Sequence, residues 1–399
     1  MCKARRVPMG EPGAADGAIR DRSNRTRVAL DATPLLGTVT GVGVFCRDAM
    51  RALASRGDLE VGAFAVTWRR RGWLQVPSGV RAFTRPMPAR PLHAAWRQAG
   101  FPPIEWFVGE TDVVHGTNFV VPPSRGAARV VTVHDLTPLK FPELCDGATL
   151  AFPAMLRRAI AEGAWVHTPS SYVAGEVVAE LGADPERVRA VHHGVPGALG
   201  PERQVRRPRP PDVPVRLPPG TSRYVLAIGT IELRKDYPGL VRAFDMVAGM
   251  HPDVALVIAG PEGWGAAALA SALDGSKHAE RVVRCGYVRD VEPLLSGAAL
   301  LAYPSLYEGF GFPPLQAMAA GVPVVATAAG AVEEVAGDAA VLVEPGDAEA
   351  LAASISGVLD DELRRAELIS RGKARIAGLT WEACAEGLAA LYRDAASAR

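Results

Sequence analysis

The chain has 399 residues, with 44 Lys and Arg against 43 Asp and Glu and a formal net charge of +1. That length exceeds what one hydrophobic core usually serves and implies two domains, while the balanced charge argues against a dedicated nucleic-acid binder, whose domain would carry a clear basic excess. The five cysteines, Cys2, Cys46, Cys145, Cys285 and Cys384, are scattered without a Cys-x-x-Cys pair, which indicates neither a disulfide framework nor a zinc site and suits a reducing cytoplasm.

Residues 1–25 are rich in Arg, Gly and Ala. They hold no apolar segment long enough for a signal peptide, and no later run of about 18 apolar residues could span a bilayer. A disordered arm is expected there, on a cytoplasmic protein that is soluble or at most peripheral. The first strand, "RVALD", runs into "ATPLLGTVTGVGVFCRDAMRAL", which sets Gly41 and Gly43 just before a helix. Backbone N–H groups and the positive helix end there can face an anion, although Gly-x-Gly is also what a plain tight turn needs. The third Gly of a dinucleotide fingerprint is replaced by Cys46, which argues against a nicotinamide cofactor.

Further strands follow in "LEVGAFAV", "DVVH", "RVVTVH", "WVHTP" and "RVRAVHH". His115 and His134 end two of these runs, with Asp135 next to the second, and strand ends of this kind face the ligand crevice. Between the first two runs, residues 68–106 carry seven Arg, one Glu and four Trp. That composition suits either a solvated basic face or an anionic membrane or lipid surface. Residues 26–200 thus read as one doubly wound α/β domain. The Pro-rich residues 201–220 read as a linker, since Pro continues neither a helix nor a central strand.

The second domain, 221–380, repeats the pattern with "RYVLAIG", "DVALVIAG", "RVVRCG", "ALLAY", "VPVVAT" and "AVLVE". Continuous apolar strands separated by helices indicate parallel sheets covered on both faces. Gly229 ends the first strand, and Arg234 and Lys235 precede a helix opened by Asp236 and Pro238. Arg offers a planar fork and Lys a point charge for a diphosphate; an isolated pair of this kind is elsewhere a solvated turn. After "ALLAYPS" comes the loop "LYEGFGF" and then "PPLQAMAAG", with Pro at the start of a helix and Gly321 at its stop. Amides of Gly309, Phe310 and Gly311 can point into the crevice, Glu308 suits sugar hydroxyls, and Gln316 can donate to and accept from a ribose diol. The ligand these residues describe carries a diphosphate and several hydroxyls. A last helix over 381–399 is free to pack on either domain, including back on the first.

The combination resembles the retaining glycosyltransferases of family four, which are nucleotide-sugar enzymes of the GT-B fold with two Rossmann-like doubly wound domains facing a central cleft. The likeness runs from "DATPLLGTVTGVGVFCRDAMRAL" through "VVTVHDLTPLKFPE" and "GTIELRKDYPGLVRAF" to "PSLYEGFGFPPLQAMAAGVPVVAT". It implies that Arg234 and Lys235 hold the donor diphosphate, that Glu308 contacts donor sugar hydroxyls, and that Gly41 and Gly43 close on the diphosphate from the first domain. It further implies His115 near the reaction centre, with His134 and Asp135 on the acceptor side; the base is expected near Tyr287 and Val288, because their loop follows the strand "RVVRCG" of the second domain. One departure is Gln316, where the family usually has a second Glu. No Asp-x-Asp occurs, so no metal or other cofactor is expected. The "VHDLTPLKFPE" segment is similar to that of bacterial mannosyltransferases using GDP-mannose, with a glycan or lipid-linked acceptor. A nucleotide-sugar epimerase of the same architecture and a noncatalytic nucleotide-sugar-binding protein are the alternatives.

Overall fold

Strands built of Val, Ile, Leu and Ala without polar alternation must be covered on both faces. In the computed structural model, which describes residues 25–37, 40–68, 74–145, 147, 149–195 and 215–398, such runs form two all-parallel sheets. The first contains β1 (Thr26–Asp31), β2 (Leu59–Phe64), β3 (Arg81–Ala82), β4 (Val113–Gly116), β5 (Ala128–Thr132), β6 (Trp165–Thr168) and β7 (Val188–Ala190), in the order β3-β2-β1-β4-β5-β6-β7. The second contains β8 (Arg223–Ile228), β9 (Val254–Ala259), β10 (Val282–Gly286), β11 (Leu300–Tyr303), β12 (Val324–Thr327) and β13 (Ala340–Val343), in the order β10-β9-β8-β11-β12-β13. Only β3 leaves no trace in the sequence pattern, because its two exposed residues pair at the edge of the sheet. Most of the arm (1–24) and of the linker (201–214) lies outside the described residues.

Chain order reverses between β1 and β4 in one sheet and between β8 and β11 in the other. Ligands bind outside the carboxyl ends of the strands at such switch points. Here the two sets of carboxyl ends border a single cleft. Helices α1 (Gly41–Ala54) and α4 (Phe312–Ala319) line it, while α2 (Ser171–Leu181), α3 (Tyr237–Met250) and α5 (Val332–Ala336) follow segments that adjoin its walls.

The final helix, α6 (Trp381–Ser397), returns to the N-terminal domain. Its Cys384, Leu388 and Tyr392 are buried with Phe45, Met50 and Leu53 of α1. Burying such side chains contributes about 2 kcal/mol each, so α6 is part of that domain's core. The chain passes between domains at Val195, whose side chain joins the C-terminal core and whose N–H donates to Leu379 O. Among the described residues, no helix is long and apolar enough to cross a membrane.

Candidate active site

The cleft between the domains has a volume of about 470 Å3. On its C-terminal wall, β8 ends at Ile228 and Gly229, and a single 3-10 turn, Leu233–Lys235, carries the two cations. Asp236 caps α3 by accepting from Gly239 N at 2.9 Å, which stops the turn from running into the helix and aims Lys235 inward. Lys235 is only 7% exposed, and its Nζ donates to Tyr303 Oη at 3.0 Å and to Glu308 Oε1. Arg234 Nη1 lies 3.0 Å from Glu308 Oε2, and its Nε donates to Glu232 Oε2 at 2.9 Å. Leu306 N donates to Arg234 O at 2.7 Å, so the cationic turn and the loop after β11 are one unit.

That loop delivers Glu308, Gly309, Phe310 and Gly311 to the cleft, and α4 then adds Gln316. Gly311, at φ 94°, is the N-cap of α4 and no side chain caps the helix. Pro313 and Pro314 have no N–H, so the free amides at this positive helix end come from the residues before them. Tyr287 and Val288, beyond β10, line the same cleft beside Gly229.

Charge in this wall is balanced before any ligand arrives. Burial pushes the Glu308 carboxyl up, but Arg234 and Lys235 outweigh it and hold the pKa at about 2. Burial also draws the Lys235 pKa down, with Glu308 opposing. Glu308 is therefore a firmly ionised acceptor and a weak base. Because Glu232 and Glu308 already neutralise the two cations, an incoming diphosphate must share its charge with backbone amides as well.

From the N-terminal domain, Gly41 opens α1 without a side-chain cap and its Cα faces the Phe312 ring across the cleft. Gly43 does not line the cleft: it is buried in the first turn, and Thr40, Val42 and Val44 line that edge beside Gly41. His134 and Asp135 reach the cleft just past the end of β5. His134 Nε2 is 2.9 Å from Thr117 O, which fixes it as the donor and leaves Nδ1 as the lone-pair nitrogen. Burial holds the ring's pKa below its usual value, so it is neutral.

His115 does not face the cleft, contrary to the sequence expectation. It lies within β4, fully buried, with Nδ1 2.7 Å from Tyr392 Oη and Nε2 2.7 Å from Thr132 Oγ1. One nitrogen fastens α6 to the sheet and the other ties β4 to β5. His115→Leu is therefore expected to cost about 1–3 kcal/mol by stranding buried partners, lowering the melting temperature, while turnover per folded molecule stays close to wild type.

His193 is at the cleft as well. It is 2% exposed, lines the cavity, stacks on Phe45 at 4.2 Å and on Phe312 at 5.4 Å, and neither ring nitrogen has a partner among the described residues. The available signal was its position in "HHG" just beyond a strand. Of the Trp-rich segment, Trp96 is core, Trp68 and Trp106 are exposed, and 69–73 lie outside the described residues.

Contacts across the cleft were not visible in the sequence. Ser170 Oγ donates to Gly309 O at 2.8 Å, and Tyr307 Oη donates to Glu176 Oε2 at 2.5 Å while accepting from Leu136 N at 2.9 Å.

Comparison with known proteins agrees with this geometry. Residues 39–199 match the family described as Glycosyltransferase Family 4, and residues 209–375 match Glycosyl transferases group 1. The chain is 28% identical over 283 residues to O-antigen chain mannosyltransferase B of Escherichia coli, covering 68% of this chain and 71% of that one. It is 30% identical over 312 residues to D-inositol 3-phosphate glycosyltransferase 1 of Catenulispora acidiphila, covering 72% and 73%. In fold it is similar to sucrose-phosphate synthase from Thermosynechococcus elongatus, with a TM-score of 0.74 at 20% identity over 94% of this chain and 100% of that one. With both halves matched and a relative aligned over most of each chain, the protein belongs to glycosyltransferase family four and has the GT-B fold.

Proposed function

We propose that this glycosyltransferase moves a hexose, with retention, from a nucleoside diphosphate sugar to an acceptor hydroxyl of a glycan or glycolipid, and that the donor is GDP-mannose. The observation that carries the reading is the facing of Arg234, Lys235 and the free amides before α4 toward the uncapped start of α1 across one cleft. The mannosyl preference is supported by the "VHDLTPLKFPE" segment and by the E. coli relative named as a mannosyltransferase.

In this reading Arg234, Lys235 and the amides of Gly309–Phe312 stabilise charge growing on the departing diphosphate, preorganised electrostatics that is usually the largest catalytic contribution. Tyr287 and Val288 border the base, and Gln316 the ribose. Glu308 accepts from sugar hydroxyls while bridging the two cations. Tied in that way, at a pKa of about 2, it is ill suited to act as nucleophile or base. We therefore favour front-face attack: the bond from the anomeric carbon to the phosphate oxygen breaks, the acceptor oxygen bonds to that carbon on the same face, and the departing phosphate takes the acceptor's proton. His134 and Asp135 orient the acceptor, and the unpartnered nitrogens of His193 are satisfied by hydroxyls of the bound substrates. With two side-chain cations at the diphosphate, transfer needs no divalent ion, and full activity in EDTA is expected.

Gln316→Glu is expected to preserve or improve donor affinity, since a carboxylate accepts both hydrogens of a ribose diol; a large rise in donor KM would show that the amide's own N–H is used. Product analysis by NMR with GDP-mannose and a hydroxyl acceptor tests the whole reading: an α-linked mannoside from the α-linked donor is the expected result, and an inverted product, or transfer only from other donors, overturns the corresponding part.

A further inference from the structure

Glu334 lies on α5 of the C-terminal domain and does not line the cleft. Its Oε1 accepts from Ser171 N at 2.9 Å and its Oε2 from Tyr172 N at 2.8 Å, while His192 Nε2 is 2.8 Å from Oε1. Ser171 and Tyr172 open α2, on the other domain, behind the N-cap Ser170. The first amides of a helix lack partners within it and carry its positive end. Thus a carboxylate of one domain caps a helix of the other.

The same segment grips the donor wall. Ala331 N donates to Glu308 O at 2.8 Å, and Gly330, at φ +62°, sits so close that a Cβ there would be 2.3 Å from Glu308 O. On the other side of Glu308, Tyr307 is bonded to Glu176 and Leu136 of the N-terminal domain. The acid that bridges Arg234 and Lys235 is therefore held on one flank by the segment that leads into Glu334, within its own domain, and on the other by Tyr307, whose partners lie across the domain boundary.

Building on the transferase reading, we propose that Glu334 is a positioning residue: a closure latch that caps α2 in the closed protein and so fixes Glu308 and its cations for transfer while water is kept from the donor. Its partner set, two backbone amides and His192, is bonded by geometry available only across the domain boundary. Closing such a cleft favours transfer over hydrolysis.

The test perturbs the latch from each side. Glu334→Ala removes the acceptor. Ser171→Pro removes one donor at the first helical position, where Pro is tolerated, and Ser170, at φ −151° and ψ 158°, already has the extended conformation that precedes Pro. Each variant is expected to lower the transfer rate about tenfold, the effect of losing a hydrogen bond to a charged group. Each should also raise the ratio of donor hydrolysis to transfer and increase the radius of gyration of the ligand-free protein by small-angle X-ray scattering. The double variant should be no worse than the worse single one, because both cut the same contact. Additive losses, or an unchanged scattering profile and hydrolysis ratio in both folded variants, would overturn the latch. The scattering readout needs no substrate, so variants that open a wild-type protein unable to transfer sugar would uphold the latch and remove the transferase reading instead.

Discussion

A methyl group at Gly309 is expected to stop transfer while leaving the protein folded. In the closed protein a Cβ at this position would stand 1.7 Å from the carbonyl oxygen of His134 and 3.0 Å from Asp135 Cβ, both on the opposite domain. Neither atom belongs to a flexible side-chain end, so the domains must stay apart by at least an ångström or so, a displacement that costs catalysis about a hundredfold. Gly309 packs against nothing comparable within its own domain, so the overlap acts on closure alone. Gly309→Ala should therefore melt near the wild-type temperature, remain more open by small-angle scattering with donor present, and lose at least about a hundredfold in kcat. Wild-type kcat in that variant would mean that catalysis does not use this closed arrangement.

Replacing Lys235 by Ala should be the most damaging change in the donor wall. Its ammonium is one of two cations set at the place of the diphosphate, and removing a preorganised donor of this kind costs about 100- to 1000-fold in rate. Stability suffers as well, because Glu308 is left with Arg234 as its remaining cation. Breaking a buried pair costs up to about 3–5 kcal/mol, and the retained Arg234 contact reduces the loss. The sign of its pH dependence follows from Glu308. A carboxyl held at about 2 stabilises the fold fully above the ordinary Glu value of about 4.3 and loses that contribution as pH falls toward 2. The stability gap between wild type and Lys235→Ala, measured by urea unfolding, should thus be widest near neutrality and narrow on acidification below about pH 4. A gap that widened instead would contradict the pairing.

Much of the architecture is legible in the sequence because β9, "VALVIA", and its neighbours are apolar on both faces, which leaves a covered parallel sheet as the solution. The cationic turn and the "EGFGF" loop are likewise readable, since each follows an unmistakable buried strand. The histidines show where such reading ends. His115 and His134 both close apolar runs, yet His115 falls inside β4 and is locked between strands and α6, whereas His134 lies two residues beyond β5 and is free to reach the cleft. Strand ends are uncertain by one or two residues in sequence, and that interval separates a core histidine from a site histidine. His193 and Glu334 were missed for another reason. Their significance lies in contacts with Phe312 and with Ser171 across the domain boundary, and the relative placement of two domains is not written in the local pattern of either. The docking of α6 on α1 is of the same kind: its apolar face is plain, its partner is not.

The central claim is that the cleft binds a nucleoside diphosphate sugar with its diphosphate at Arg234 and Lys235. It is tested most directly by thermal-shift titration of wild type and Lys235→Ala with GDP-mannose, UDP-glucose, UDP-N-acetylglucosamine and a dTDP-sugar. A ligand that binds only the native state raises the melting temperature by mass action, by an amount that grows with concentration above its Kd. The account predicts a concentration-dependent rise with GDP-mannose for wild type that is lost in the folded variant. An equal rise in both proteins would remove the diphosphate from Lys235, and no rise with any donor for folded wild type would contradict the claim itself.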